Sequence, residues 1–169
     1  DSQTGAIKIY VPHITILLKN GTVIQNSSPC FEVYASYTTI TTESIGGAQC
    51  VPTSDANGIE IADDLVNIVI QGIEFVGNNG TDGLHFAGTV TDMLLVDNWF
   101  HNFKGDGIEF AEPPAGVINI QGNLFQNNTG VGILNTNGTT AIDATYNSWG
   151  DVAGPTGPNG DGVSDFVTY

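Results

Sequence analysis

The feature that most constrains this chain is an internal repeat. A glycine followed by an apolar residue recurs at spacings of 25, 24 and 25 residues, at Gly58, Gly83, Gly107 and Gly132. A second apolar run follows each glycine, at residues 68–70, 93–95, 118–120 and 142–144. Each unit then closes on an aromatic side chain, at Phe75, Phe100, Phe125 and Trp149. Because a fixed period of this length indicates units that stack on one another, the repeat predicts a solenoid.

Each unit consists of short apolar runs broken by Gly, Asn and Asp, which is typical of strands joined by tight turns. Extending the register backwards to Cys30 and Ala6 adds two looser units. The sequence therefore predicts an all-β fold, a parallel β-helix (β-solenoid) of about six coils with roughly 24–25 residues per coil. We expect a single domain over 1–169, with coils at about 6–150 and a C-terminal tail or cap at 151–169.

Stacking should place equivalent residues of successive coils in columns about 4.8 Å apart. One interior column is predicted to contain Ile7, Phe31, Ile59, Leu84, Ile108 and Ile133. Three asparagines lie two residues before an aromatic residue of the repeat: Asn98, Asn123 and Asn147. We expect their amide side chains to pair between coils and form a turn ladder.

The charge balance excludes several partners. The chain has 18 Asp and Glu against 3 Lys and no Arg, for a net charge of −15. It cannot neutralise a row of phosphates, so we expect no nucleic acid partner, and an anionic membrane surface would repel it. No stretch approaches the roughly 18 apolar residues of a membrane span, so we expect no membrane insertion.

Cys30 and Cys50 lie 20 residues apart, a spacing that fits no zinc pattern. We interpret them as a disulfide, with two buried free thiols as the alternative. A disulfide indicates an oxidising, extracellular location, and we expect that a signal peptide has already been removed.

One outward column combines charges of both signs: Lys8, Glu32, Glu60, His85 and Glu109. His85 should lie between two carboxylates, which would raise its pKa. Two interpretations remain open. The column is either a pH-sensitive or metal-binding stripe, or an exposed ladder that avoids direct stacking of like charges.

Two other groups of acidic residues suggest calcium, since Ca²⁺ takes oxygen ligands. The first is a set of turn residues: Asp63, Asp64, Asp82, Asp92, Asp97 and Asp106. The second is a partial calcium loop with Asn159, Asp161 and Asp165, which lacks a closing bidentate Glu. Solvated turns are the alternative, so the only cofactor to consider is Ca²⁺ or another divalent cation.

Asn-x-Ser/Thr sequons predict possible glycosylation sites in a secreted protein. They occur at Asn20, Asn26, Asn79, Asn127 and Asn137.

Two C-terminal motifs resemble those of a known group of proteins. They are Tyr-Asn-Ser-Trp-Gly-Asp at 146–151 and Gly-Asp-Gly-Val-Ser at 160–164. Both are similar to the closing coil of secreted right-handed parallel β-helix repeat proteins of archaeal and bacterial cell surfaces, which share the pectate-lyase-like architecture. The resemblance implies a right-handed coil and a location at the cell surface or in an envelope sheath. It implies little about activity, because function is set by sites rather than by the fold.

The resemblance departs from the catalytic members at their chemistry. Pectate lyases depend on a basic residue, usually Arg, beside calcium-binding aspartates, and this chain has no Arg. The Asn-Thr-Asp, Asp-Asp and Arg-Ile-Lys signatures of polygalacturonases are absent as a set. We therefore expect no enzymatic activity, with a polysaccharide lyase or hydrolase as the minority alternative.

Both ends of the stack carry apolar strands that invite pairing with another chain. The predicted assembly edge comprises Ile7, Ile9, Val11, Phe166 and Tyr169. Head-to-tail stacking of this kind does not close and gives filaments. The sequence thus predicts an extracellular structural protein, a homopolymer subunit of a filament, sheath or surface layer. The alternative is a monomeric surface module that binds or cleaves carbohydrate through Tyr10, Tyr34 or Trp99.

Overall fold

The computed structural model describes residues 5–169, which form 18 strands and no helix. The strands lie in three parallel sheets. Sheet A contains β1 (Ile7–Ile9), β4 (Phe31–Val33), β7 (Ile59–Ile61), β10 (Leu84–Phe86), β13 (Ile108–Phe110) and β16 (Ile133–Asn135). Sheet B contains β2 (Ile14–Leu18), β5 (Thr38–Thr42), β8 (Leu65–Gln71), β11 (Val90–Val96), β14 (Ala115–Gln121), β17 (Ile142–Asp143) and β18 (Val167–Thr168). Sheet C contains β3 (Thr22–Asn26), β6 (Ala48–Pro52), β9 (Ile73–Val76), β12 (Trp99–His101) and β15 (Leu124–Gln126).

The chain visits the sheets in the order A, B, C and then returns to A one strand further along. One such circuit is called a coil, and coils 1 to 5 each contribute one strand to every sheet. Coil 6 consists of β16, β17 and a bridge from Ser148 to Leu124. The all-β solenoid of about six coils predicted from the repeat is confirmed.

The core is a set of columns running through the centre of the stack. In sheet A the predicted column pairs residue for residue, and its members from Phe31 to Ile133 are no more than 1% exposed. Ile7 is 46% exposed because, within residues 5–169, no coil lies on the outer side of β1. Ile9, by contrast, is 5% exposed and belongs to the core.

The aromatic residues that close each unit stack face to face. The ring centroids are 4.7 Å apart for Phe75 and Phe100, 5.3 Å for Phe100 and Phe125, and 4.9 Å for Phe125 and Trp149. A second buried stack, 4.7 Å between centroids, joins Phe86 to Phe110 in sheet A. Parallel stacking at one coil spacing thus accounts for the aromatic positions of the repeat.

The glycine that opens each unit makes room for these rings. A Cβ on Gly107 would lie 2.7 Å from Cδ1 of Phe125 and 2.6 Å from the carbonyl oxygen of Gly132. Gly83 lies in the same position, where a Cβ would be 2.6 Å from Cδ1 of Phe100. The glycine is therefore required by the close approach of the aromatic column and of the next coil's backbone.

The predicted asparagine ladder is present. Oδ1 of Asn123 accepts hydrogen bonds from the backbone N–H and the Nδ2 of Asn98, at 2.9 and 3.0 Å. Oδ1 of Asn147 accepts the same two bonds from Asn123, at 2.8 and 3.0 Å. Each amide thereby satisfies buried polar groups of the coil before it, which would otherwise destabilise the turn.

Residues 151–169 continue the stack as a partial seventh coil. Val163 bridges Ile133 in sheet A, and β18 pairs with β17 in sheet B. Sheet C gains no further strand, but the Tyr169 ring meets Trp149 edge-on with centroids 6.4 Å apart.

Cys30 and Cys50 form a disulfide with a Cα–Cα distance of 5.9 Å. The bridge spans the interior of coil 2, from the start of β4 to β6. Both sulfur-bearing residues are buried, at 0 and 1% exposure. The bond is consistent with an oxidising, extracellular setting.

The glycine column gives a direct test of the packing. We expect Gly107→Ala to lower the free energy of unfolding by about 1–3 kcal/mol, because its methyl group overpacks the Phe125 ring and the Gly132 carbonyl. Gly5→Ala is the matched control, since a Cβ at Gly5 meets nothing within 4 Å. Denaturant titration of both variants measures the difference, and equal midpoints would contradict the packing explanation.

Candidate functional site

The predicted charge column occupies the outer face of sheet A. Lys8, Glu32, Glu60, His85 and Glu109 are aligned strand by strand in the order β1, β4, β7, β10, β13. Successive side chains therefore stand one coil apart, close enough for each to determine the charge state of the next.

Two ionic groups divide the column. Nζ of Lys8 lies 2.9 Å from Glu32 Oε2, and the Tyr34 hydroxyl donates to the same oxygen at 2.6 Å. His85 lies between the other two carboxylates, with Nδ1 at 2.7 Å from Glu60 Oε1 and Nε2 at 3.7 Å from Glu109 Oε2. The adjacent Glu32 and Glu60 thus turn to different partners, so the column avoids a bare pair of like charges.

Neighbouring side chains shift the pKa values of two residues in this column, and the sequence predicts the rise at His85. Hydrogen bonding to Glu60, aided by the charges of Glu60, Glu109 and Asp82, raises the pKa of His85 against the effect of its burial. Hydrogen bonds from Tyr34 and Lys8 hold the pKa of Glu32 below its ordinary value.

A second acidic row lies in the turn that enters sheet A. Its residues immediately precede the repeat glycines: Asn57, Asp82 and Asp106. Asn57 Oδ1 accepts the N–H of Asp82 at 3.2 Å, and Asp82 Oδ1 accepts the N–H of Asp106 at 2.7 Å. Asp106 Oδ1 in turn accepts the N–H of Val131 at 2.7 Å. The row satisfies the backbone donor of each following coil.

Burial makes this row electrostatically costly. Asp82 is only 4% exposed. Burial raises the pKa of both Asp82 and Asp106, and the neighbouring carboxylates raise it further. Ligand atoms of Asp82, Asp106 and Glu109 lie within 4.8 Å of one another, the single such three-residue group within 5–169. Of the six predicted calcium ligands in turns, the structure brings together these two, Asp82 and Asp106.

The three residues of the predicted C-terminal calcium loop do not share a partner within residues 5–169. Asp161 is 5% exposed and its Oδ2 accepts from Asn128 Nδ2 at 2.6 Å. The backbone N–H of Asn159 donates to Asp151 Oδ2 at 3.2 Å, and Asp165 is exposed.

The sequons differ in accessibility. Asn26 is 5% exposed and donates to the Pro29 carbonyl at 3.4 Å, so a glycan on it is incompatible with this fold. The other four acceptor asparagines are exposed: Asn20, Asn79, Asn127 and Asn137.

A polar cluster on the outer face of sheet C was not predicted. His101 Nε2 lies 3.0 Å from Glu74 Oε1, and Gln49 Nε2 donates to Glu74 Oε2 at 2.7 Å. Trp99 stacks on His101 with ring centroids 4.2 Å apart and is half-buried, with its Nε1 enclosed and unpartnered. Trp99 is therefore not an open platform for a sugar ring.

A group of exposed aromatic side chains lies instead at the corner between sheets A and B. Tyr10 and Tyr34 stack with centroids 4.9 Å apart and are 64% and 43% exposed. Beside them His13 stacks on Tyr37 at 4.5 Å, and Tyr37 is 45% exposed. Four aromatic rings of coils 1 and 2 thus face solvent near the open end of the stack.

The two ends of the stack carry the predicted assembly edge. Ile7, Val11, Phe166 and Tyr169 are 46, 62, 56 and 54% exposed. Coil 1 also exposes Leu17 and Val23, at 51% and 54%. Four of the five residues predicted for the edge are therefore accessible, and Ile9 is turned into the core.

Comparison with known proteins identifies the fold family. A family profile described as a right-handed β-helix region matches residues 1–148. The chain belongs to the right-handed β-helix family. No curated protein and no solved structure shows a significant match. Across residues 5–169 the right-handed β-helix contains no helix of the length and hydrophobicity needed to cross a bilayer.

The raised pKa values predict how stability depends on pH. Asp82, Asp106 and His85 all have folded pKa values above their ordinary values of 3.8, 3.8 and 6.5. The contribution of these three groups to the free energy of unfolding is complete below their ordinary pKa values, and it is lost as the pH rises through their folded pKa values. Glu32, whose pKa is lowered from 4.5, acts in the opposite sense: its contribution to the free energy of unfolding is complete above pH 4.5 and is lost as the pH falls through its folded pKa.

Asp82→Asn isolates the cost of the buried carboxylate. The amide oxygen can still accept the Asp106 N–H, while the charge is removed, so we expect a higher melting temperature at pH 7. The gain should vanish near pH 3, where the aspartate is protonated in both states. Thermal unfolding across pH measures the effect, with the exposed Asp165→Asn as control. A variant less stable than the wild type at pH 7 would refute this account of the row.

Proposed function

We propose that this β-helix is an extracellular structural protein whose copies stack end to end into a filament, sheath or surface layer. The observation that carries the proposal is the complementary chemistry of the two ends of the solenoid. The proposal assigns no catalytic role to the charge column, since Glu60 and Glu109 both engage the intervening His85.

Backbone hydrogen-bonding groups are available at both ends of sheet A. The Ile7 N–H donates to Cys30 and the Ile9 carbonyl accepts from Tyr34, so both residues face coil 2. Alternation along a parallel strand then turns the N–H and carbonyl of Lys8 to the open side. A strand edge of this kind is a template for pairing with another chain.

The C-terminal end offers the matching groups. The Gly162 carbonyl accepts from Gly132 and the Ser164 N–H donates to Ile133, so both face back into coil 6. By the same alternation the N–H and carbonyl of Val163 face outward. If Val163 of one copy stands opposite Ile7 of the next, the Lys8 N–H donates to the Val163 carbonyl, as in an internal coil.

The two ends of the stack also differ in charge. Residues 5–30 contain no carboxylate, and their two lysines, Lys8 and Lys19, pair with Glu32 and Glu43 of coil 2, whereas residues 143–169 contain four aspartates and no lysine. The excess negative charge of the whole chain opposes association in general, so an acidic end meets less repulsion at coil 1 than at the acidic surfaces. Repulsion along the rest of the molecule is screened at physiological ionic strength, where the Debye length is about 8 Å.

Apolar side chains at the open end supply the driving force. Ile7 and Ile14 of coil 1 belong to interior columns and are 46% and 36% exposed, and a further coil would cover them as each internal coil covers its neighbour. A second copy is the occupant we propose, since its final partial coil has the strand spacing and the free backbone groups that sheets A and B of this surface require.

Lys8→Pro tests the contact at its backbone. Proline removes the outward N–H without affecting the bonds that Ile7 and Ile9 make to coil 2. We expect wild-type protein to form filaments in electron micrographs and to sediment as polymer, and Lys8→Pro to remain monomeric. Lys8→Gln is the matched control, because it removes the charge and the ion pair with Glu32 but keeps the N–H, and it should still polymerise.

Two results would overturn the proposal. One is a wild-type protein that stays monomeric at every salt and divalent-cation concentration, which would favour the surface module that binds carbohydrate. The other is a Lys8→Pro variant that folds with an unchanged circular dichroism spectrum and polymerises like the wild type. Loss of polymer on chelation alone would support assembly in which cations offset the acidic surface.

A further inference from the structure

One register position at or near the start of the strands of sheet B has an uncommon backbone conformation in five of the seven coils. His13, Tyr37, Asn67, Asp92 and Phe166 have φ values of 57, 57, 56, 56 and 62°. Asn and Asp tolerate this left-handed region, but bulky aromatic residues rarely occupy it. Coils 3 and 4 have the tolerant residues at this position, and coils 1, 2 and 7 have aromatic ones.

These residues occupy one register position. Each directly precedes a member of the paired series Ile14, Thr38, Ile68, Met93, Ile118, Ile142 and Val167. Phe166 in coil 7 is therefore equivalent to His13 in coil 1 and Tyr37 in coil 2. The pairing of Ile118 with Ile142 follows from that of Asn119 with Asp143.

At the N-terminal end this position already forms a ring stack. The centroids of His13 and Tyr37 are 4.5 Å apart with an interplanar angle of 16°, close to the spacing of adjacent coils. Tyr37 covers one face of the His13 ring, and no described residue stacks on the other. At the opposite end the Phe166 ring is on the last coil and is 56% exposed.

We infer that these aromatic residues fix the register of the end-to-end contact, with Phe166 of one copy stacked on His13 of the next. The inference rests on the proposed function and names the pairing within it. The column then runs Phe166, His13, Tyr37 across the boundary between copies. In the same register β18 of one copy pairs with β2 of the next, so that Val167 stands opposite Ile14 and Thr168 opposite Thr15.

The proposed stack also explains why aromatic residues, which disfavour a positive φ, occupy this position in the coils at the two ends. An Asn at position 166 would satisfy the backbone at lower cost, as Asn67 does in coil 3, but would offer no ring. Stacked aromatic pairs stabilise a contact beyond the area they bury, and their geometry is specific. A slip of one residue would turn the apolar side of β18 outward, and the ring column would be broken.

Cysteine cross-linking measures the register directly, since both native cysteines are already in a disulfide. Thr15 and Thr168 both belong to the outward series of sheet B, whose other members are Thr39, Val69, Leu94, Asn119 and Asp143. In the inferred register their Cα atoms are about 4.8 Å apart, within the range for a disulfide. We expect a chain carrying Thr15→Cys and Thr168→Cys to give a covalent ladder on a non-reducing gel after mild oxidation.

A chain carrying Leu17→Cys and Thr168→Cys is the matched control. Leu17 faces outward two residues further along β2, so the Cα atoms would be about 8 Å apart and no ladder should form. Polymer in which the control pair cross-links and the predicted pair does not would overturn the register while leaving end-to-end assembly standing. Absence of any polymer would overturn both.

Removing the ring tests the stack itself. We expect Phe166→Ala to raise the critical concentration for assembly by about tenfold or more, the order of one stacked aromatic pair. Tyr146→Ala removes an aromatic residue that is more exposed, at 85% against 56% for Phe166, and lies outside the column, so this variant should assemble normally. Equal critical concentrations for the two variants would show that Phe166 does not contribute to the contact.

Discussion

The fold depends on the backbone hydrogen-bond ladder between successive coils. Because all three sheets are parallel and in register, apart from a shift between Thr91 and Met93 where β11 meets β14, each strand residue has the equivalent residue of the next coil as its nearest neighbour outside its own strand. A column is therefore only as stable as the self-interaction of its side chain. Aliphatic groups, aromatic rings and amides interact well with their own kind at this spacing, which is why they form the interior columns and the asparagine ladder.

Charged groups are the difficult case for such a stack, and the chain treats them in two ways. On the outer face of sheet A each carboxylate lies beside a basic group: Lys8 neutralises Glu32, and His85 separates Glu60 from Glu109. In the entering turn Asp82 and Asp106 follow one another with no base between them, although Asn57 shows that an amide serves the same hydrogen bond. Burial raises the pKa of both carboxyl groups in this second arrangement, and packing alone does not explain why the chain has aspartates there.

Much of the fold was predictable because periodicity reports directly on columns. The glycine and aromatic positions, the asparagine ladder and the neighbours of His85 all followed from counting residues. The Cys30–Cys50 disulfide was one of two alternatives that the sequence left open, and the structure contains it.

The structure departs from the sequence-based predictions where a residue's surroundings are not set by the repeat. Ile7 is exposed because no coil lies on the outer side of β1 within residues 5–169, and Glu74 meets His101 diagonally across strands rather than within a column. The left-handed conformation of Phe166 gave no signal in a sequence that lacks the usual Asn or Gly at that position.

The coil repeat separates the length of this molecule from the chemistry of its ends. The interior columns could accommodate another coil inserted next to coil 4, since every residue of a column would still contact a residue of the same kind on both sides. Such an insertion lengthens the rod by one strand spacing and leaves β1, β2 and β18 unchanged. In the proposed filament, subunits of different length would present the same ends, so duplication of a single repeat would vary the span of each subunit without a compensating change at the proposed junction.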